Sequence, residues 1–148
     1  MVRDIIELKP TDELYLLGDY IDRGPDSKGV IDYIRELQAE DYTVHCLLGN
    51  HEQMLLNAFD GYRANDNWVV NGGAATLASF KTTDVEDIPD TYINFVKGLS
   101  YYIELDDYLL VHAGFNFKYD DIFRDKEAML WIRYWHTAIK TDKIKGKI

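Results

Sequence analysis

The fold of this 148-residue chain is decided by residues 16–27, which read LLGDYIDRGPDS. The apolar run from Leu14 to Leu17 is typical of a short buried strand, and a glycine ends it. Two carboxylates and a guanidinium follow at once, at Asp19, Asp22 and Arg23. Because open α/β sheets place ligand sites where a strand ends in this way, the stretch predicts a strand followed by a functional loop.

The residue types in this loop suit a phosphate ester bound beside a metal ion. A carboxylate such as that of Asp19 is a good ligand for hard divalent cations. Arg23 carries a planar fork that fits a phosphate. Asp22 would orient a histidine, and residues 49–52, GNHE, supply one in His51.

The first half of the chain alternates helical and strand patterns. Val2 to Leu8 has the spacing of an amphipathic helix. Lys28 to Ala39 has it too, with Asp26 or Ser27 as its N-cap. Thr43 to Leu48 is apolar and β-branched, as in a strand. This alternation predicts parallel strands joined by right-handed crossovers.

The second half predicts helices, one hairpin and a polar tail. A β-hairpin is indicated by two apolar runs around Asp106-Asp107, and its second strand ends in the residues HAG, 112–114. Residues 61–71 have no clear period. The other expected elements are helices over 52–59 and 74–80, a helix from Pro89 or Asp90, hairpin strands 101–105 and 108–111, and a last helix capped by Asp125 that bears Ala128, Met129, Ile132 and Trp135.

Composition narrows the class of protein. A net charge of −10 argues against nucleic acid as a partner. Cys46 is the only cysteine, which excludes an intrachain disulfide, and its apolar neighbours predict a buried core thiol. No stretch resembles a signal peptide or a membrane span. We therefore expect one cytoplasmic domain over residues 1–148, with no membrane partner.

Three of the predicted strands thus end in loops that carry metal-binding side chains. Asp19, Asn50 and His112 offer oxygen and nitrogen atoms, a mixture that suits Mn²⁺, Fe²⁺ or Zn²⁺ rather than Ca²⁺. Asp22 and His51 would form an acid/base pair, in which the carboxylate fixes the tautomer of the imidazole. Metal-assisted attack of water on a phosphate ester is the reaction class that uses all of these groups.

The same motifs resemble a known family. GDYIDRG at 18–24, GNHE at 49–52 and HAG at 112–114 are similar to three successive signatures of the calcineurin-like metallophosphoesterases. The resemblance is strongest to the phosphoprotein phosphatase branch, especially bacterial serine/threonine phosphatases and symmetrical dinucleoside tetraphosphatases. NGG at 71–73 and WIR at 131–133 are also similar to the bacterial members. The resemblance implies an α/β fold of the metallophosphoesterase type, a β-sandwich flanked by helices.

Carried over to this sequence, the resemblance implies a centre of two divalent metals. Asp19 would bridge them, and Asn50 and His112 would ligate the second metal. Manganese is the expected metal, with iron and zinc as alternatives. A metal-bound hydroxide would attack the phosphorus in line, without a phosphoenzyme.

The resemblance also implies roles for the remaining polar residues. His51 would protonate the oxygen of the leaving group, and Asp22 would hold the other nitrogen of its ring. Arg23 and Arg133 would grip the phosphate, with Asn50 touching one of its oxygens. The expected partner is a phosphoprotein or a small phosphate ester.

Two family motifs are missing. Asp-x-His, which would supply ligands of the first metal, occurs nowhere in the sequence. The closing Gly-His-Thr motif is also absent. Trp135-His136-Thr137 resembles it superficially, but His136 follows Arg133 too closely for that motif, and we interpret it as an ordinary helix-face histidine. We therefore expect a domain lacking its first strand and its C-terminal strands. The sheet edge exposed in this way would favour dimerisation or strand swapping.

The expected function is metal-dependent hydrolysis of a phosphate monoester, with phosphoserine or phosphothreonine in a protein as the favoured substrate. Two alternatives stay open: a symmetrical dinucleoside tetraphosphate hydrolase, and a catalytically incompetent fragment or pseudophosphatase. Single residues also have simpler interpretations, with Asp19 as a turn residue, Asn50 as a helix cap and Arg133 as half of a surface ion pair. His45, in the middle of a strand, is expected to be structural.

Overall fold

The computed structural model of the chain describes residues 7–133 and residue 144. Strands and helices alternate over residues 13–57, as the sequence predicts, and further helices follow before the hairpin. The elements are β1 (Glu13–Leu16), α1 (Ser27–Ala39), β2 (Thr43–Cys46), α2 (Asn50–Asn57), α3 (Tyr62–Trp68), α4 (Ala74–Phe80), α5 (Asp90–Lys97), β3 (Tyr102–Glu104), β4 (Leu109–Val111) and α6 (Lys126–Trp131). Short 3₁₀ turns occupy Ala58–Asp60, Val85–Asp87 and Ile122–Arg124, and a π-type turn, Val69–Gly73, joins α3 to α4.

β1 and β2 pair in parallel, which confirms the prediction from the alternating pattern. Their register places Leu14 opposite Val44 and Leu16 opposite Cys46. The crossover is α1, whose N-cap is Asp26, and its buried face packs against this sheet. Because parallel strands end at the same edge of a sheet, the loops that follow β1 and β2 start side by side.

The predicted hairpin, β3–β4, is present and antiparallel. A parallel bridge between Leu47 and Ser100 connects β2 to the residues just before β3, and the Leu48 N–H donates to Ser100 O at 2.7 Å. The hairpin therefore starts beside the end of β2. His112, directly after β4, is hydrogen-bonded to Leu17 O and Asn50 Oδ1, so it lies at the edge where β1 and β2 end.

Two apolar clusters support these elements. The larger lies between the helices and the carboxyl end of β2, and fully buried Trp68 and nearly fully buried Ile31 belong to it. The smaller lies beneath the hairpin and contains Phe115, Phe117 and Met129. None of the helices between residues 7 and 133 combines the length and apolarity needed to cross a lipid bilayer.

The structure corrects several predicted boundaries. The helix expected over 52–59 is α2, which begins two residues earlier, at Asn50, and residues 62–68, which show no clear period, form α3. The last helix ends at Trp131 and does not include Ile132, which takes an extended ψ of 133°, and Trp135 lies outside the described residues. The predicted helix in residues 2–8, apart from its last two residues, and His136 lie outside the described residues. The described strands form two two-stranded sheets, so the β-sandwich and its missing strands stay predictions.

Cys46, at the end of β2, is half-buried rather than fully buried. Burial nevertheless raises the pKa of its thiol to about 11, although a hydrogen bond with Tyr20 acts in the opposite direction. Because the thiolate is the reactive form, we expect the native chain to react with a disulfide reagent at pH 8 on the order of 100-fold more slowly than the urea-unfolded chain. Equal reaction rates in the folded and unfolded chain would show that the fold does not raise the pKa of the Cys46 thiol.

Candidate active site

Side chains from three loops meet at the edge where β1, β2 and β4 end. Asn50 Oδ1 lies 3.0 Å from His112 Nε2, and Asp19 Oδ1 lies 3.6 Å from the same nitrogen. The backbone N–H of His51 donates to Asp19 Oδ1 at 3.4 Å. The three residues predicted as metal ligands therefore lie together, and the Asp19 side chain is 40% exposed.

Hydrogen bonding fixes which nitrogen of His112 carries the proton. Nδ1 lies 2.7 Å from the carbonyl oxygen of Leu17, and a carbonyl only accepts, so Nδ1 is the donor. In the neutral ring Nε2 is then an acceptor, and it faces two further acceptors, Asn50 Oδ1 and the Asp19 carboxylate. This arrangement is favourable when a cation lies among the three atoms, either a metal ion or a second proton on the ring.

The donor chemistry fits part of the coordination sphere of a divalent metal. A carboxylate, an amide oxygen and an imidazole held through Nδ1–H by a backbone carbonyl suit Mn²⁺, Fe²⁺ or Zn²⁺. Across the described ranges, however, no group of three or more His, Cys, Asp or Glu side chains is arranged to hold a metal. Asp19 and His112 are two such side chains, and the third oxygen beside them comes from the amide of Asn50.

The two residues predicted to form an acid/base pair are also in contact. His51 Nδ1 lies 2.7 Å from Asp22 Oδ2, and the two side chains are 4% and 0% exposed. The carboxylate holds Nδ1 and leaves Nε2 for proton exchange. Two further donors, Trp68 Nε1 and Thr76 Oγ1, also reach the Asp22 carboxylate.

A second buried carboxylate, that of Glu52, connects two of the loops. Its Oε2 accepts hydrogen bonds from the N–H groups of Asp19 and Gly49, each at 2.9 Å. Its Oε1 accepts from the N–H groups of Tyr20, at 2.7 Å, and Ile21, at 3.3 Å. Burial raises the pKa of the Glu52 carboxyl, whereas the backbone donors favour its charged form. The bond to Gly49 also completes a capping box at the start of α2.

The loop after β1 has an unusual backbone. Asp19, Asp22 and Arg23 have φ values of 59°, 70° and 58°, in the left-handed region that costs non-glycine residues free energy. Gly18 has φ 103°, and a Cβ there would lie 2.7 Å from Gly49 Cα. The two loops are therefore in direct backbone contact, and hydrogen bonds to Glu52 offset the strain.

The two arginines predicted to bind phosphate lie in different settings. Arg23 is exposed, and its Nε and backbone N–H donate to Asn71 O at 3.3 Å and Gly72 O at 3.2 Å. These bonds anchor it to the turn between α3 and α4. Arg133 is exposed beyond the end of α6, and among the described residues no hydrogen bond or ion pair joins it to the other predicted site residues.

Sequence reasoning missed the residues that support the site. Glu52 has the spacing of a capping box with Gly49, which indicates its contact with the Gly49 N–H but not its contacts with residues 19–21. Trp68 lies in the segment without a clear period, and Thr76 lies on a short apolar helix. Nothing in the sequence around either residue indicates a hydrogen bond to Asp22.

Comparisons with known proteins agree with these motifs. A family model described as calcineurin-like phosphoesterase matches residues 1–144. A symmetrical bis(5'-nucleosyl)-tetraphosphatase of Nitrosospira multiformis is 30% identical over 115 residues, which are 75% of this chain and 36% of that protein. The asymmetrical bis(5'-nucleosyl)-tetraphosphatase PrpE of Geobacillus thermodenitrificans is 30% identical over 126 residues, 82% of this chain and 50% of that protein.

Serine/threonine-protein phosphatase 1 of Salmonella typhimurium is 43% identical over 65 residues, 42% of this chain and 26% of that protein. The chain thus spans half or less of the length of the relatives described here.

Glu52→Gln should destabilise the fold, because the amide would turn N–H donors towards backbone N–H donors in a buried site. We expect the free energy of unfolding, measured with urea, to fall by ~2–4 kcal/mol. Glu86→Gln, at an exposed glutamate, is the matched control and should change it little. Equal effects of the two substitutions would show that the contacts of Glu52 do not stabilise the loops.

Proposed function

Since this chain belongs to the calcineurin-like phosphoesterase family, we propose that it carries the proton donor and part of the metal centre of a hydrolase that cleaves phosphate monoesters. The supporting observation is the convergence of two groups at one edge of the fold. One is the buried pair of His51 and Asp22, and the other is the cluster of Asp19, Asn50 and His112.

The cluster is the proposed metal site. Asp19, Asn50 and His112 would hold a divalent ion, with manganese favoured and iron or zinc as alternatives. When bound, such ions supply a nucleophilic hydroxide at neutral pH and offset the charge of the phosphoryl group. The Leu17 carbonyl keeps the His112 ring in the tautomer that presents Nε2 to the metal.

His51 is the proposed general acid. Its Nδ1 proton is held by the Asp22 carboxylate, so the proton transferred to the oxygen of the leaving group comes from Nε2. The Asp22 carboxylate accepts the hydrogen bond from Nδ1 and stabilises the imidazolium before transfer. Burial of the pair excludes water and strengthens this interaction.

Arg23 is the proposed phosphate ligand. Its backbone and Nε are anchored, while the residue is exposed, so the guanidinium nitrogens beyond Nε are available for phosphoryl oxygens. Two further phosphate contacts stay predictions. One is Arg133 as a second phosphate ligand, and the other is a contact between Asn50 and a phosphate oxygen.

We favour phosphoserine or phosphothreonine in a protein as the substrate, because Asp19 and Arg23 are exposed and an open site admits a side chain that projects from a protein. The alternative is a dinucleoside tetraphosphate, which the names of two relatives support. Dimerisation through β1 also remains a proposal, supported by the fact that β1 pairs with β2 alone among the described strands.

Metal binding is tested by titrating the chain with Mn²⁺ in a calorimeter. Asp19→Asn and His112→Asn should each weaken binding at least about tenfold. His45→Asn is the matched control, because His45 stacks on Tyr15 away from the cluster. Manganese binding that resists both substitutions in the cluster would contradict the proposed site.

Turnover is tested with an aryl phosphate, with and without added Mn²⁺. We expect metal-dependent hydrolysis that His51→Asn lowers on the order of 100-fold or more, while manganese affinity is kept. Unchanged turnover in His51→Asn would contradict its role as the acid. A folded wild-type chain that binds Mn²⁺ without turnover would show that hydrolysis needs groups beyond these residues.

A further inference from the structure

We propose that Trp68 and Thr76 are positioning residues that hold the Asp22 carboxylate in the orientation that fixes the tautomer of His51. The inference rests on the proposed function, because it concerns the residue proposed there as the proton donor. The side-chain hydrogen bonds of these two residues go to Asp22 and Ser27 and not to the proposed metal cluster or to Arg23.

Trp68 supplies a donor whose direction is fixed by packing. It is the last residue of α3 and fully buried, and its Nε1 lies 3.1 Å from both oxygens of Asp22. An indole N–H only donates, so the Asp22 carboxylate is the acceptor in this contact. The ring lies against Gly73, where a Cβ would come within 2.5 Å of it, so the backbone beside α4 sets the position of the indole.

Thr76 supplies a second donor, and its own hydrogen has one possible destination. Its Oγ1 lies 2.7 Å from Asp22 Oδ1, 2.9 Å from Asp22 N and 3.0 Å from Ser27 Oγ. The Asp22 backbone N–H is shared between Thr76 Oγ1 and Ser27 Oγ, which lies 3.1 Å away, and the carboxylate only accepts, so the threonine hydroxyl donates to Oδ1. The Ser27 hydroxyl is then the donor in its contact with Thr76 Oγ1.

Asp22 therefore receives hydrogen bonds from side chains of three helices. His51 comes from α2, Trp68 from α3 and Thr76 from α4, and the Asp22 side chain is 0% exposed. The hydrogen bonds from Trp68 and Thr76 fix the carboxylate against rotation independently of its hydrogen bond with His51. A fixed carboxylate oxygen beside Nδ1 keeps the proton on that nitrogen, so Nε2 is the nitrogen available for proton transfer to the leaving group.

The kinetic test compares Thr76→Val, which removes the hydroxyl at nearly constant volume, with Thr76→Ser, which keeps it. Misorientation of the general acid lowers kcat most when the leaving group is poor. Thr76→Val should lower kcat about tenfold or more on phenyl phosphate and less than about threefold on p-nitrophenyl phosphate. KM should change little. Thr76→Ser should restore wild-type behaviour, and Thr83→Val, at an exposed threonine, should resemble the wild type.

A second test needs no turnover. Long-range ¹H–¹⁵N spectra of the labelled chain report the tautomer of His51 at one pH near neutrality. We expect the Nδ1–H form in the wild type and in Thr76→Ser. A mixture of tautomers is expected in Thr76→Val and in Trp68→Phe, which keeps an aromatic ring in the core but lacks the N–H.

Two results would overturn the inference. One is a folded Thr76→Val or Trp68→Phe that keeps a pure Nδ1–H tautomer. The other is a Thr76→Val whose loss of kcat is the same for both leaving groups, since a purely structural role would act equally on them. Failure of the proposed function is distinguishable, because His51→Asn would then keep its turnover while the tautomer shift in Thr76→Val would still appear.

Discussion

The structure of this site depends on one buried carboxylate, that of Glu52. Its two oxygens accept four backbone N–H groups, three from the loop after β1 and one at the start of α2. A charged group without exposure to water is tolerated only when hydrogen bonds replace its hydration. Formation of these contacts therefore fixes the loop after β1 against the first turn of α2. As a result, the side chains of Asp19 and Asn50 lie close together.

Asp22 is a second buried carboxylate whose hydrogen bonds replace its hydration. Its donors come from three helices that follow it in the chain. The left-handed backbone at Asp19 and Asp22 is unfavourable in isolation, yet it points one carboxylate to the open cluster and the other into the core. Preorganised groups of this kind lower the cost of ordering a reaction centre when the substrate arrives. The two carboxylates thus explain why the proposed proton donor and the proposed metal ligands lie at one edge of the fold.

Much of this arrangement could be predicted from local patterns. Apolar runs ending in glycine located β1 and β2, the capping residues Asp26 and Asp125 marked the starts of two helices, and the pairing of Asp22 with His51 followed from residue chemistry. Contacts that depend on tertiary packing could not be predicted. Trp68 meets a carboxylate 46 positions away, and a glutamate such as Glu52 normally signals a surface position. The roles assigned to the site residues stay proposals, as does the extent of the domain.

The most direct measurement is a crystal structure of the chain grown with Mn²⁺ and phosphate, with manganese located by its anomalous scattering. We expect a manganese ion coordinated by Asp19, Asn50 and His112, with the phosphate beside it in contact with Arg23 and His51 Nε2. The contacts of Glu52 and Asp22 should be unchanged by the ligands, because these carboxylates organise the loops beforehand. Manganese and phosphate bound elsewhere, with this edge of the fold empty, would show that the proposed site is wrong.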